Sequence, residues 1–166
     1  LKAQGFNVGK SLCETDMLDL ARTIMDKAKA RNVQFLLPTD AVIAQAPAAD
    51  AEAKVVDVKN IPDDWMGLDI GPATIAAFSD AVKSARTIVW NGPLGMFELA
   101  PFSAGTFKLV DAAVASGALT IVGGGDTDTA IHKTGKSGKI SYISTGGGAF
   151  LELLEGKILP AVAALG

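Results

Sequence analysis

Two triple-glycine runs, each set between a short apolar segment and a helix-like one, limit the folds open to this chain. Gly123-Gly124-Gly125 follows Leu119-Thr120-Ile121-Val122, and Gly146-Gly147-Gly148 follows Ser141-Tyr142-Ile143-Ser144-Thr145. A glycine run after a buried strand lets backbone N–H groups approach a ligand with no Cβ in the way. The N-terminus of the following helix adds unsatisfied donors and the positive end of the dipole, which suits phosphate. Two such loops on neighbouring strands would converge on one polyanion, and that points to nucleotide phosphates.

The remainder of the chain alternates helix and strand in the same manner. From Asp16 to Ala30, Leu18, Ala21, Ile24, Met25 and Ala28 recur at helical spacing, with acidic residues near the start and basic ones near the end. Val33 to Leu37 is a nearly continuous apolar run stopped by Pro38, the pattern of a buried strand. Lys54 to Val58 alternates as an edge strand or hairpin arm does. Pro72 opens a helix reaching about Ala85, Thr87 to Trp90 reads as a strand, and Ser103 caps a helix ended by Gly117. Leu119 to Val122 and Tyr142 to Ser144 read as the last strands, with helical segments around Glu152 and Val162. This order predicts an α/β fold with a parallel sheet covered on both faces. Functional loops in such folds lie at the carboxyl ends of strands. Pro38, Asn91-Gly92-Pro93 and both glycine runs all fall at predicted strand ends.

Composition narrows the function classes. A chain of 166 residues with 49% hydrophobic content suits one folded domain with an ample core. Net charge is −3, and no basic stripe with interleaved aromatics appears, which argues against nucleic-acid binding. Cys13 is the single cysteine, so no internal disulfide forms, and a reduced, cytoplasmic setting is expected. No apolar stretch reaches the roughly 18 residues of a membrane span. The chain opens on Leu1 rather than Met, without a signal-peptide pattern, and reads as a piece of something longer.

Familiar signatures fail. A Walker A loop ending at Gly135-Lys136-Ser137 would need glycine at Ala130, and the third glycine of a dinucleotide fingerprint would fall on Asp128 or Leu151. No Gly-x-Ser-x-Gly elbow exists, and His132, the only histidine, reads as a solvated residue rather than a base. One histidine and one cysteine leave no basis for a zinc site or a Cys-His pair. Asp126 opens the helix after the first glycine run, where it serves as an N-cap, as a ligand of nucleotide-bound Mg²⁺, or as both. Glu98, beyond a glycine-proline loop, is either a plain surface carboxylate or an acceptor for ribose hydroxyls.

Four ordered motifs then resemble one family. Trp65-Met66-Gly67-Leu68-Asp69-Ile70-Gly71-Pro72, Trp90-Asn91-Gly92-Pro93-Leu94-Gly95-Met96-Phe97-Glu98, Gly123-Gly124-Gly125-Asp126-Thr127, and Ser144-Thr145-Gly146-Gly147-Gly148-Ala149 with Leu151 to Lys157 resemble the phosphoglycerate kinases. The likeness runs from Leu1 to the C-terminus. It implies a three-layer, Rossmann-like α/β fold, with residues 1–166 forming the greater part of the nucleotide-binding C-terminal domain. By resemblance, Gly67 and Leu68 line the adenine pocket with Leu94 and Phe97 nearby, and Glu98 holds the ribose hydroxyls. Asn91, Gly92 and Pro93 shape the wall beside the phosphates, which Gly124, Gly125, Asp126 and Thr127 meet, with Asp126 on Mg²⁺. Gly146, Gly147 and Gly148, together with Gly125, stabilise the phosphoryl group in flight.

The implied activity is reversible phosphoryl transfer between ATP and the carboxylate of 3-phosphoglycerate in glycolysis, with ATP or ADP and 3-phosphoglycerate or 1,3-bisphosphoglycerate as partners, in a monomeric parent enzyme. The family's upstream lysines, its further triple-glycine strand end and its whole N-terminal domain with the acceptor site have no counterpart in this sequence. The 166 residues alone are therefore expected to be inactive, a nucleotide-binding fragment at most. Strands lost from a buried sheet would leave unpaired edges and apolar faces, so marginal stability and aggregation are expected as well.

Overall fold

Apolar side chains gather around two separate centres in the computed structural model, which describes residues 1–144 and 146–165. Thr145, inside the second glycine motif, lies outside the described residues. The chain divides into two compact units, residues 1–78 with 94–105, and residues 79–93 with 106–166.

The first unit begins with helix α1 (Leu18–Ala30), the amphipathic segment expected from its spacing, with Asp19 in its first turn and Lys27 and Lys29 in its last. An antiparallel sheet of strands β1 (Asp40–Ala44), β2 (Lys54–Asp57) and β3 (Met66–Ile70) follows, in the order β2-β1-β3. Ala41 pairs with Val56 on one side and Ile70 on the other, and the β1–β3 register shifts between Val42 and Ile43. Ala41, Ile43, Val58 and Ile61 form the core beneath it. The edge position expected of the Lys54 segment is the one β2 occupies.

Helix α2 (Pro72–Lys83) starts on proline, and its first turn is capped from another element. Asp40 Oδ2 accepts from Ala73 N–H at 2.9 Å and Oδ1 from Thr74 N–H at 2.8 Å, while the Thr74 hydroxyl donates to Oδ1 at 2.6 Å. Those amides have no acceptor within the helix, and a negative charge there suits the dipole. Burial raises the Asp40 pKa, but the bonds from the Thr74 hydroxyl and the Ala73 and Thr74 amides outweigh it and hold the carboxyl below its ordinary 3.8.

The second unit holds a parallel sheet, β4 (Thr87–Asn91), β5 (Leu119–Gly123) and β6 (Tyr142–Ser144), in sequential order. Helix α3 (Ala104–Ser116) precedes β5, α4 (Gly125–Lys133) leaves β5 at once, and α5 (Gly147–Leu154) and α6 (Pro160–Ala163) follow β6. Trp90, Val110, Val122, Ile131 and Ile140 make its core. The α/β class and the parallel strands predicted from sequence are thus present.

One strand expectation is corrected. Val33 to Leu37 belongs to no ladder, and Val33, Phe35 and Leu36 are exposed. An apolar run becomes a strand only with a partner to take its backbone hydrogen bonds, and no described segment supplies one here. The antiparallel β2-β1-β3 arrangement was not anticipated either.

Candidate functional site

Parallel register brings three breaks to one sheet end in the second unit. Asn91, Gly123 and Ser144 are cross-strand partners at the carboxyl ends of β4, β5 and β6. The Asn91-Gly92-Pro93 turn and both glycine runs therefore leave neighbouring strands at the same level. Gly92 has φ +92° and Gly124, the N-cap of α4, has φ +98°, conformations that a side chain would strain.

These loops are tied directly to one another. Gly92 N–H donates to Thr127 Oγ1 at 2.8 Å, and Gly124 N–H donates to the Ser144 carbonyl at 3.1 Å. A Cβ on Gly147 would stand 2.9 Å from Gly124 Cα, so the two runs meet backbone to backbone. Trp90 braces the first turn from the core, its indole N–H donating to the Gly92 carbonyl at 2.6 Å.

The helix starts supply the donors. The first main-chain bond of α4 runs from Asp128 N–H to the Gly124 carbonyl, and that of α5 from Phe150 N–H to the Gly146 carbonyl. The amides of Gly125, Asp126 and Thr127, and of Gly147, Gly148 and Ala149, precede those bonds and have no acceptor in their own helix. Around Gly125 and Gly148 a Cβ would meet nothing within 4 Å, which is the open space an anion needs. Gly123 differs, because a Cβ there would fall on the Phe150 ring; its missing side chain serves packing.

Individual residues sort accordingly. Asp126 is exposed in the first turn of α4, and Gly124 rather than Asp126 is the N-cap, which corrects the capping reading. Thr127 is 0% exposed, and its hydroxyl joins two loops. His132 sits in the last turn of α4, two-thirds exposed, with Nε2 3.4 Å from Asp128 Oδ1, in keeping with a solvated histidine. Lys136 pairs with Asp111 rather than with any loop of the site. Among the described residues no group of three or more His, Cys, Asp or Glu converges as a metal would require. A single open carboxylate at a helix start suits an Mg²⁺ that arrives already bound to phosphate oxygens.

The first unit carries the other sequence-predicted residues. Gly67 and Leu94 line a cavity of about 310 Å³ together with Ser11, Ala41, Asp69 and Ile70. Ser11 Oγ accepts from Gly67 N–H at 2.9 Å. Leu68 is half-buried, and its carbonyl accepts from Met96 N–H at 2.9 Å. Phe97 is 4% exposed and belongs to the interior, whereas Glu98 beside it is exposed. Sequence reasoning passed over Asp69, whose carboxylate is buried; burial raises its pKa, against the opposing effect of bonds from the Gly105 and Ile70 amides. An acidic residue inside a run of buried apolar ones was the available signal.

Known proteins share both this sequence and this fold. The model of the phosphoglycerate kinase family matches residues 1–157. The phosphoglycerate kinase of Geobacter metallireducens is 57% identical over 165 residues, covering 99% of this chain and 42% of the relative. That of Geotalea daltonii is 57% identical over 166 residues, with the same coverage of 99% and 42%. The structure of phosphoglycerate kinase from Coxiella burnetii superposes with a TM-score of 0.95 at 47% identity, over 98% of this chain and 42% of that one. The chain thus spans about 42% of the length of these relatives. With fold and sequence in agreement, it belongs to the phosphoglycerate kinase family.

Proposed function

We propose that this chain is the nucleotide-binding part of a longer kinase that moves a phosphoryl group reversibly between ATP and the carboxylate of 3-phosphoglycerate. The supporting observation is the register of Asn91, Gly123 and Ser144, which aligns the breaks after β4, β5 and β6 with two helix N-termini. In the direction that consumes ATP, a carboxylate oxygen attacks the terminal phosphorus, the bond to the bridging oxygen breaks, and ADP leaves. Such a transfer needs positioning and charge neutralisation more than a covalent catalyst.

Residues of the second unit take the phosphates. The amides of Gly125, Asp126 and Thr127, beside the bare Cα of Gly124, receive the nucleotide's tail, and those of Gly147 and Gly148, following Gly146, meet the group in transit. Asn91, Gly92 and Pro93 hold the adjoining wall. Asp126 would hold Mg²⁺, which when bound offsets phosphate charge. Gly67 and Leu68 line the pocket for the base with Leu94 and Phe97 nearby, and Glu98 accepts from the ribose hydroxyls. The 3-phosphoglycerate or 1,3-bisphosphoglycerate partner binds outside these residues, and the parent works as a cytoplasmic monomer.

Titration of the full-length protein with MgADP and MgATP tests the reading. Asp126→Ala and Glu98→Ala, both at exposed positions, should each weaken nucleotide binding about tenfold while leaving the fold intact. Unchanged affinity in both variants would remove the assignment. A second reading follows from the 42% span: these 166 residues by themselves bind nucleotide without turning it over. Coupled turnover by the 166-residue chain alone would exclude it.

A further inference from the structure

Asp69 is a buried acid that the proposed chemistry leaves unused. It lies on β3, is 5% exposed, and spends its two oxygens on backbone donors distant from one another in the chain. Oδ1 accepts from its neighbour Ile70 N–H, and Oδ2 accepts from Gly105 N–H, each at 2.8 Å. Gly105 stands in the first turn of α3, where an amide lacks a helical acceptor and a negative charge is favoured.

The same carboxylate also fills the space that two missing side chains leave. A Cβ on Gly95 or on Gly105 would fall on Asp69, so the beginning and end of the 95–105 segment close on one group. Leu68, the preceding residue, holds Met96 through its carbonyl at 2.9 Å. Successive residues of one strand thereby grip the segment at 95–96 and at 105. Phe97 and Phe102, 4% and 0% exposed, root it in the interior between those grips. Glu98, between those grips, is exposed, and half-buried Leu94, just before them, shares its cavity with Asp69 and Gly67.

Burying a carboxylate is costly unless its hydrogen bonds are made, and a merely space-filling role would be met by an apolar residue. One of the bonds made here ties the end of that segment, at Gly105, to the strand, and the other, from Ile70, fixes the carboxylate on the strand itself. We propose that Asp69 is a positioning residue that sets Leu94 and Glu98 for the adenosine part of the nucleotide, an inference that rests on the nucleotide reading above. It touches no reacting atom. An asparagine in its place keeps one acceptor and turns an N–H₂ toward the other backbone donor, so one grip is lost.

The test uses the full-length protein with MgADP as the titrant and steady-state turnover as the second readout. Asp69→Asn should raise the MgADP Kd and the MgATP KM about tenfold. The 3-phosphoglycerate KM should stay within about twofold, a split that a general loss of stability does not produce. Amide exchange at Met96 should quicken in the same variant, because its bond to Leu68 sits on the loosened segment. If Asp69→Asn does not fold, Asp69→Ser, smaller and with a hydroxyl acceptor, gives the same comparison. A folded variant with lowered thermal stability but unchanged nucleotide constants overturns the positioning role while the nucleotide reading stands. Failure of the parent protein to bind MgADP overturns both.

Discussion

Gly147 lies against Gly124 so closely that a methyl group on the former would come within 2.9 Å of the latter's Cα. Neither atom can yield as the tip of a flexible side chain could, so Gly147→Ala must part the two loops. Overpacking of this kind costs about 1–3 kcal/mol. Gly148→Ala, one residue along, meets open space and replaces a helical glycine, which should add about 0.5–1 kcal/mol. Urea unfolding of the two variants should thus move in opposite directions. Turnover should nevertheless fall in both, because the methyl at 148 enters the space assigned to phosphate.

Thr127 tests the link between the first turn and α4. Its buried hydroxyl accepts from Gly92 N–H, and Thr127→Val keeps the shape while removing the acceptor. A loss of about 1–2 kcal/mol is expected, with faster amide exchange at Gly92 as the local signature. Equal exchange rates in parent and variant would show that the bond does not hold the turn.

Two aspartates should respond to pH with opposite sign. Asp40 has a lowered pKa, so the unfolded chain binds its proton first as pH falls. Its stabilisation is present above about 3.8 and is lost as pH drops through the folded value. Asp40→Asn should therefore show a shallower acid limb and lose about 0.5–2 kcal/mol near neutrality, the usual value of a helix cap. Asp69 has a raised pKa, so its contribution is complete below about 3.8 and declines as pH rises through the folded value. Asp69→Asn should remove that decline. Urea midpoints measured at a series of pH values for both variants give the two slopes.

The run at Val33 to Leu37 bears on solution behaviour. Phe35 is 48% exposed on an unpaired apolar segment, the kind of surface that recruits other chains. Phe35→Glu should reduce self-association of the 166-residue chain, read as a weaker concentration dependence of light scattering. Scattering that stays the same would locate the sticky surface elsewhere.

Local pattern carried the reading where neighbours in sequence are neighbours in space. Leu119 to Gly125 reads as strand, glycines and helix because all three lie within a few residues, and the structure has β5 and α4 there. The adjacency of the glycine runs followed from parallel strand logic and holds at Gly124 and Gly147. What escaped depends on distant partners. Asp40 meets Thr74 across 34 positions, and Asp69 meets Gly105 across 36, so neither role shows in the local pattern. Val33 to Leu37 failed for the converse reason: its composition suits a strand, but pairing is not a property of composition. Gly123 looked like part of a phosphate cradle and instead makes room for Phe150, which only the packing reveals.

Trp90 turns the bond to Gly92 into a built-in optical reporter. One of only two tryptophans, its buried indole is attached to the very turn assigned to the triphosphate wall, while Trp65 lies under the Lys54 ammonium on the other sheet. Replacing Trp65 by phenylalanine would leave a single emitter whose colour follows that turn, and occupancy could then be watched without any attached dye.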